Sequence, residues 1–183
     1  MAFLPIGARL CWASADCGRY SLVSTAPPRL TRGNIRKPPA GIVHLGLGAF
    51  FRAHGAIYIQ EAMEAAGGDW GIIGVSLRSA GVRDRLAPQG GVYTALSRGA
   101  EGDIPQLVSS VGDPLVAPES PEAILEALAG PGSRLVTLTI TEKGYCHAPS
   151  TGRLDLMHPD IRHDLQNPEP KSAPGFLVRA LEL

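Results

Sequence analysis

The sequence predicts an α/β domain with a mainly parallel sheet, helices on both faces and an antiparallel excursion. Three observations carry that expectation. Short β-rich apolar runs alternate with a stretch of helical period, a glycine turn joins the first run to the first helix, and two strand-like runs with turn chemistry between them lie in mid-chain.

Residues up to about Pro39 show no clear period, and APPRLTRGNIRKPP is a run of prolines, basic residues and turn formers that neither a helix nor an inner strand accommodates. Residues 1–39 therefore read as a poorly ordered N-terminal arm, and 40–183 as the folded domain. Order begins near Gly41, where GIVHLGLG supplies an apolar run ending in glycines. FFRAHGAIYIQEAMEAA then sets Ala56, Ile59, Met63 and Ala66 on one side at helical spacing. Gly67 and Gly68 stop that helix, and WGIIGVSL is a second strand, which after a helix implies a right-handed crossover into a parallel sheet. GVYTALSRG and PQLVSSVGDP fit an antiparallel pair better than another crossover. Ser120, Pro121 and Glu122 form a helix start, with serine to cap free amides, proline at the first helical position and glutamate at the positive end. That helix should run to about Ala129, where GPGS breaks the chain. RLVTLTITE is the most strand-like segment, β-branched at Val136, Thr137, Thr139, Ile140 and Thr141. From Lys143 the chain is loop-rich until an apolar helix begins at about Gly175 and runs to Leu183. A last helix without a cap or continuation is expected of a chain interrupted before a further domain.

With 183 residues, 44% of them hydrophobic, the chain can bury a core of ordinary domain size. Lysine plus arginine and aspartate plus glutamate balance at 17 each, so no sustained field draws a nucleic acid or an acidic membrane. No stretch approaches the roughly 20 apolar residues needed to cross a bilayer. Pro5, Arg9, Asp16 and Arg19 interrupt any apolar core of a signal peptide, so the cytoplasm is expected. Cys11, Cys17 and Cys146 form no CxxC pair and the five histidines no HExxH, which predicts reduced thiols and no metal.

Chemistry concentrates in GLGAFFRAH, Gly46 to His54, at the place where a dinucleotide-binding turn belongs in a Rossmann-like fold. Gly46 suits the sharp turn. Gly48 removes a side chain so that a diphosphate can approach the backbone, with Leu47 and Ala49 completing the turn before the helix N-terminus. Phe51 stands where the third glycine of G-x-G-x-x-G would be, which predicts a wider or reoriented helix start. A lone GxG also fits a plain structural turn, and a methyltransferase presents a similar one. No Walker-type lysine pattern redirects the reading to nucleoside triphosphates. At the end of the second strand Leu77, Arg78 and Ser79 replace the acid that would hold the adenosine ribose. Arg78 reads either as a partner for the 2′-phosphate of NADP or as a solvated loop arginine.

GIVHLGLGAFFRAH, DWGIIGVSLRS and VTLTITEKGY resemble the mannitol dehydrogenase family of polyol-specific long-chain dehydrogenases. EKGYCHAPSTGRLDLMHPDIRHDLQNP, followed by SAPGFLV, is similar to the fructuronate reductase branch. The resemblance covers about Arg29 to Leu183. It implies a metal-independent, NAD-dependent oxidoreductase of small polyols or sugar acids, built from an N-terminal NAD(P)-binding domain and a mostly helical catalytic domain. In the family a lysine, with asparagine and histidine, lies in a K-x-x-x-x-N-x-x-H motif of that second domain. No such motif occurs here, so no catalytic residue is assigned in this chain. Phe50, Arg52 and His54 match the family's glycine turn, which makes the missing third glycine a family trait.

Thr139, Thr141 and Glu142 end a strand at the carboxyl edge of the predicted sheet and are expected near the nicotinamide. Lys143 beside them reads either as a general base or as a solvated loop lysine. His44 sits in a buried strand pattern, where a hydrogen-bonded core histidine is expected rather than a ligand. His147, His158 and His163 alternate with Asp155, Asp160 and Asp164 at uneven spacing, which favours a solvated turn over a metal site. No recognisable pattern sets a base beside Cys146. The competing reading is a non-catalytic nucleotide-binding fragment or interaction module.

Overall fold

The structure, a computed structural model, describes residues 29–183. Most of the expected arm, with Cys11 and Cys17, lies outside the described residues. Its last part runs along the domain, where Arg32 donates from Nε to Gly90 O at 2.6 Å and from Nη2 to Val111 O at 2.8 Å.

The first strand, β1 (Ala40–Leu45), is followed by two short helices, α1 (Ala49–Ala53) and α2 (Gly55–Ala66), and by β2 (Gly71–Ser76), which pairs parallel to β1. A six-residue helix, α3 (Gly81–Leu86), leads into the antiparallel hairpin β3 (Tyr93–Gly99) and β4 (Gly102–Val108). The chain then returns to the sheet as β5 (Leu115–Val116), parallel to β2. Helix α4 (Pro121–Ala129) crosses to β6 (Leu135–Leu138), which pairs with the free side of β1. Sheet order is β5-β2-β1-β6, all parallel, so the order reverses between β1 and β6. In open α/β sheets such a switch point opens a crevice at the carboxyl ends of the strands. A small hairpin, β7 (His147–Ala148) with β8 (Arg153–Leu154), and helices α5 (Pro159–Asp164) and α6 (Ala173–Glu182) complete the described chain.

Alternation along the central strands assigns the layers. Ile42 and Ile72 pack with Leu47, Phe51, Ala56 and Leu86 under α1–α3 and the β3–β4 hairpin. Val43, Leu45 and Val75 face Ile124 and Leu128 of α4 and Phe176 of α6. At about 1.5–3 kcal/mol for each buried aliphatic or aromatic side chain, these two layers supply most of the driving force.

Several local expectations need correction. The second mid-chain run divides at Val108: its start lies in β4, while Val111 bridges in parallel to Ile72 and the rest leads to β5. Strand β6 stops at Leu138, well short of Glu142, because beyond it only Thr139 N still bonds to β1, at Leu45 O. Ser120 flanks α4 without a side-chain capping bond, whereas Ser172 Oγ accepts from Gly175 N at 3.0 Å and starts α6 two residues earlier than expected. On α2, Gln60 rather than Ala66 completes the inward face, accepting from Ser109 N at 2.7 Å and donating to Leu107 O at 3.0 Å.

The missing third glycine has a structural counterpart. Phe51 is buried, and a Cβ on Gly55, one helical turn later, would stand 2.6 Å from its ring. Space that a glycine at position 51 would have provided is thus supplied by Gly55, and the backbone leaves helical values at His54 (φ −133°, ψ −71°) between α1 and α2. The bulky residue at that place thus goes with a break between α1 and α2.

Candidate cofactor site

The turn after β1 is fixed by its backbone. Gly46 has φ 99°, and a Cβ there would lie 2.4 Å from Thr139 O, so both conformation and space demand glycine. Its N–H and that of Leu47 donate to Val75 O at 2.9 and 3.1 Å, binding the turn to β2. Gly48 differs: a Cβ there would meet nothing closer than Gly46 O at 3.8 Å, so the space above it is open. Gly48 O accepts the first helical bond from Arg52 N at 3.1 Å, and the amides of Ala49 and Phe50 at the start of α1 have no acceptor within the helix.

Neither phenylalanine closes that space. Phe50 is 70% exposed and tilts against His54, while Phe51 turns into the core. A groove of about 270 Å³ remains, lined by Gly46, Gly48, Ser76, Arg78, Thr139 and Thr141 among others. It adjoins a second cavity of about 380 Å³ that shares Leu77, Arg78 and Gly144 and reaches Pro118, Lys143 and Lys171. Both lie at the carboxyl ends of the strands.

The residues singled out from sequence thus divide. Gly46, Leu47, Gly48, Arg78, Thr139 and Thr141 line the groove, whereas Ala49 and Phe50, next in the chain, are exposed and outside its lining. Arg78 makes no side-chain hydrogen bond or ion pair to another described residue. Arg52 does not line the groove; it braces the turn from behind, donating from Nη1 to Leu47 O at 2.7 Å while its carbonyl accepts from the Tyr93 hydroxyl at 2.6 Å. Burial lowers the Arg52 value and raises that of Tyr93, so the phenol stays protonated. Glu142 projects from a 3-10 turn into solvent, 3.6 Å from His147 Nε2. Sequence reasoning missed Ser76, Val82, Ile140 and Gly144, which join the groove only through tertiary folding.

The remaining polar candidates serve local structure. His158 Nδ1 accepts from Asp160 N at 3.2 Å at the start of α5. Burial raises the Asp164 value, but hydrogen bonds from the Ser172 hydroxyl, the Lys171 and Ser172 amides and His163 outweigh it and hold the carboxyl low. Cys146 is a buried free thiol pushed up chiefly by burial. Among the described residues no three His, Cys, Asp or Glu side chains cluster as metal ligands, and no helix is long and apolar enough to cross a membrane.

Behind the groove lies His44, fully buried. Its Nδ1 is 2.7 Å from Thr137 Oγ1 and its Nε2 2.8 Å from Thr139 Oγ1 and 3.2 Å from Gly46 O. The Phe51 ring stacks on it at 3.3 Å between centroids. Burial lowers its pKa to about 4, so the ring is neutral at ordinary pH.

A parallel sheet of this order, with a glycine turn beside the switch point, defines a Rossmann-type α/β domain. The chain belongs to the mannitol dehydrogenase family: residues 40–183 match the mannitol dehydrogenase Rossmann domain. It is 46% identical over 158 residues to an uncharacterized oxidoreductase, YeiQ, of Escherichia coli, covering 85% of this chain and 32% of that protein. It is 45% identical over 148 residues to the D-mannonate oxidoreductase of the same organism, covering 78% of this chain and 30% of that one. The crystal structure of Pseudomonas fluorescens mannitol 2-dehydrogenase, a ternary complex with NAD and D-mannitol, superposes with a TM-score of 0.74 at 41% identity, over 79% of this chain and 30% of that one. The chain therefore spans about a third of the length of the relatives it matches.

Proposed function

We propose that this chain is the cofactor-binding part of an NAD-dependent oxidoreductase acting on a polyol or sugar acid, of the mannitol/fructose or mannonate/fructuronate type. One observation carries the reading: above Gly48 the backbone is bare and the groove open, in a domain whose relatives are oxidoreductases and whose solved neighbour holds NAD. When bound, the nicotinamide accepts or donates the hydride. The protein's part is to hold it. Gly46, Leu47 and Gly48, with the amides of Ala49 and Phe50, receive the diphosphate; Arg78 and Ser79 lie toward the adenosine ribose; Thr139 and Thr141 border the nicotinamide side, while Glu142 stands outside the groove. Arg52 keeps the turn in shape.

The proton exchanged with the substrate hydroxyl is assigned to a lysine helix outside these residues, so the chain alone should bind cofactor weakly and turn over little. Its partner is a small polyol or sugar acid rather than nucleic acid or membrane. A buried free thiol suits a reducing compartment such as the cytoplasm. NADP is the second reading for the cofactor, favoured by Arg78, which pairs with no described residue, and by the lack of an acid at the end of β2. Fluorescence titration with NADH and NADPH, beside a thermal-shift assay with S-adenosylmethionine, tests the whole. Saturable binding of a reduced dinucleotide is expected. Stabilisation by S-adenosylmethionine alone would replace the reading with a methyltransferase, and no response to any of the three would leave a non-catalytic module.

A further inference from the structure

We propose that His44 is a positioning residue for the dinucleotide, acting through Thr139 and the Gly46 carbonyl on the glycine turn. It rests on the reading of that turn as the diphosphate site. His44 never touches the groove. Its influence follows from how protons distribute in the network behind it.

The Thr139 hydroxyl has one proton, and it donates to Gly46 O at 2.9 Å. Its oxygen must then accept from His44 at 2.8 Å, which requires the proton on Nε2. A neutral ring with Nε2–H leaves a lone pair on Nδ1, and the Thr137 hydroxyl donates to it at 2.7 Å. Every group is satisfied by this one arrangement. The opposite tautomer would turn a lone pair of Nε2 toward the lone pairs of Gly46 O at 3.2 Å. Phe51, stacked within 9° of parallel, holds the ring in that plane.

The consequence is a clamped peptide. Gly46 O accepts from Gly48 N at 2.6 Å and from Thr139 Oγ1 at 2.9 Å, with His44 Nε2, whose proton is directed at Thr139, only 3.2 Å away, while the N–H of the same peptide, on Leu47, is held by Val75 O. The carbonyl thus points into the domain, away from the groove. Were that peptide to rotate, a carbonyl oxygen would face the diphosphate and repel it. A glycine with no Cβ is free to make that rotation, and the buried histidine, by fixing the Thr139 hydroxyl on the carbonyl, adds to what opposes it.

The test compares the wild-type chain with His44→Leu, His44→Gln and Thr137→Val by NADH fluorescence titration and thermal melting, and reads the His44 tautomer by ¹H–¹⁵N NMR. We expect His44→Leu to weaken NADH binding about tenfold, the scale of one buried hydrogen bond. The amide nitrogen of His44→Gln can replace the Nε2 donor, so this variant should recover most of the affinity although it loses the Phe51 stack as fully as leucine does. Thr137→Val should free the tautomer and weaken binding severalfold. Equal NADH affinity in wild type, His44→Leu and His44→Gln would overturn the positioning role while leaving the cofactor reading intact, and a wild-type chain that binds no dinucleotide would end both. Should His44→Leu fail to fold, the wild-type spectrum decides: a resolved Nε2–H tautomer supports the assignment and an Nδ1–H tautomer refutes it.

Discussion

The two ends of the groove are built on opposite plans. At the glycine turn, backbone groups of Gly46, Leu47 and Gly48 are held by Val75, Thr139 and the buried His44, and among the described residues Arg78 is the one charged side chain lining the groove. Beyond Leu77, in the adjoining cavity, the lining changes to side chains that carry charge, Arg78, Lys143 and Lys171 in solvent and Asp160 half-buried. A ligand part common to every nicotinamide cofactor, the diphosphate, can be met by fixed backbone, whose dipoles cost nothing to reorganise. Parts that differ between cofactors are met by side chains that substitution can change without disturbing the fold. The comparison teaches that invariant chemistry is placed on rigid structure and selective chemistry on the periphery.

The strongest way to break the rigid end is Gly46→Ala. The new Cβ would meet the Thr139 carbonyl at 2.4 Å in a backbone conformation with φ 99°. A backbone oxygen cannot step aside as a side chain can, so a loss of more than about 3 kcal/mol of stability is expected, with dinucleotide binding abolished. Urea unfolding checks the first outcome and NADH fluorescence the second. An unperturbed variant would mean that the turn is not clamped between β1 and β6.

Acid should loosen the same end. His44 has a folded pKa of about 4 against an ordinary value of 6.5. A lowered histidine contributes stability that is fully present above pH 6.5, where neither state is protonated, and that is lost as pH falls toward 4 while the unfolded chain takes up the proton. The integrated effect is at most about 3 kcal/mol. Urea midpoints measured from pH 7 down to 4.5 should fall accordingly, and His44→Gln should flatten the slope. The same slope in both proteins would assign the acid sensitivity to other groups.

Gly48→Ala separates binding from folding. Its Cβ has no neighbour within 3.8 Å other than Gly46 O at that distance, so thermal stability should stay within about 0.5 kcal/mol of the original. The methyl group occupies the space assigned to the diphosphate, and NADH affinity should drop about tenfold or more. A drop in stability with unchanged affinity would contradict the assignment.

How much of this the sequence disclosed follows from the range of the interactions. Strand, glycine turn, helix and strand from Gly41 to Ser76 were legible because each step has a local signal: an apolar run, a glycine at a special φ, a 3.6-residue period. Helix α3 was not, since six residues are too few to show a period. Gln60 hid in an apolar stripe because its partners, Leu107 and Ser109, lie 47 and 49 residues away. Arg52 is grouped with the groove by its match to the family's glycine turn and Glu142 as the end of an expected strand, whereas one turns behind the turn and the other, past the end of β6, into solvent. The compensation between Phe51 and Gly55 had a trace, a glycine one helical turn after a bulky residue at the place of the third glycine, but its meaning appears only once the ring is seen against the helix.

The smallest effect belongs to the peripheral end. Arg78 is exposed and makes no ion pair with a described residue, so Arg78→Asp should leave the melting temperature unchanged. On the proposed reading Arg78, which pairs with no described residue, lies toward the ribose, and NADPH should bind within about fivefold of NADH, since an exposed charge contact contributes roughly 1 kcal/mol. The aspartate would repel a 2′-phosphate and accept hydrogen bonds from free ribose hydroxyls, which reverses the preference toward NADH. Parallel titrations with the two reduced cofactors measure the ratio. If both affinities shift together, Arg78 is a solvated loop residue and selectivity must lie deeper, among Ser76, Leu77 and the second cavity. If only the NADPH affinity falls, the rigid turn and the replaceable rim are separable in energy as they are in structure.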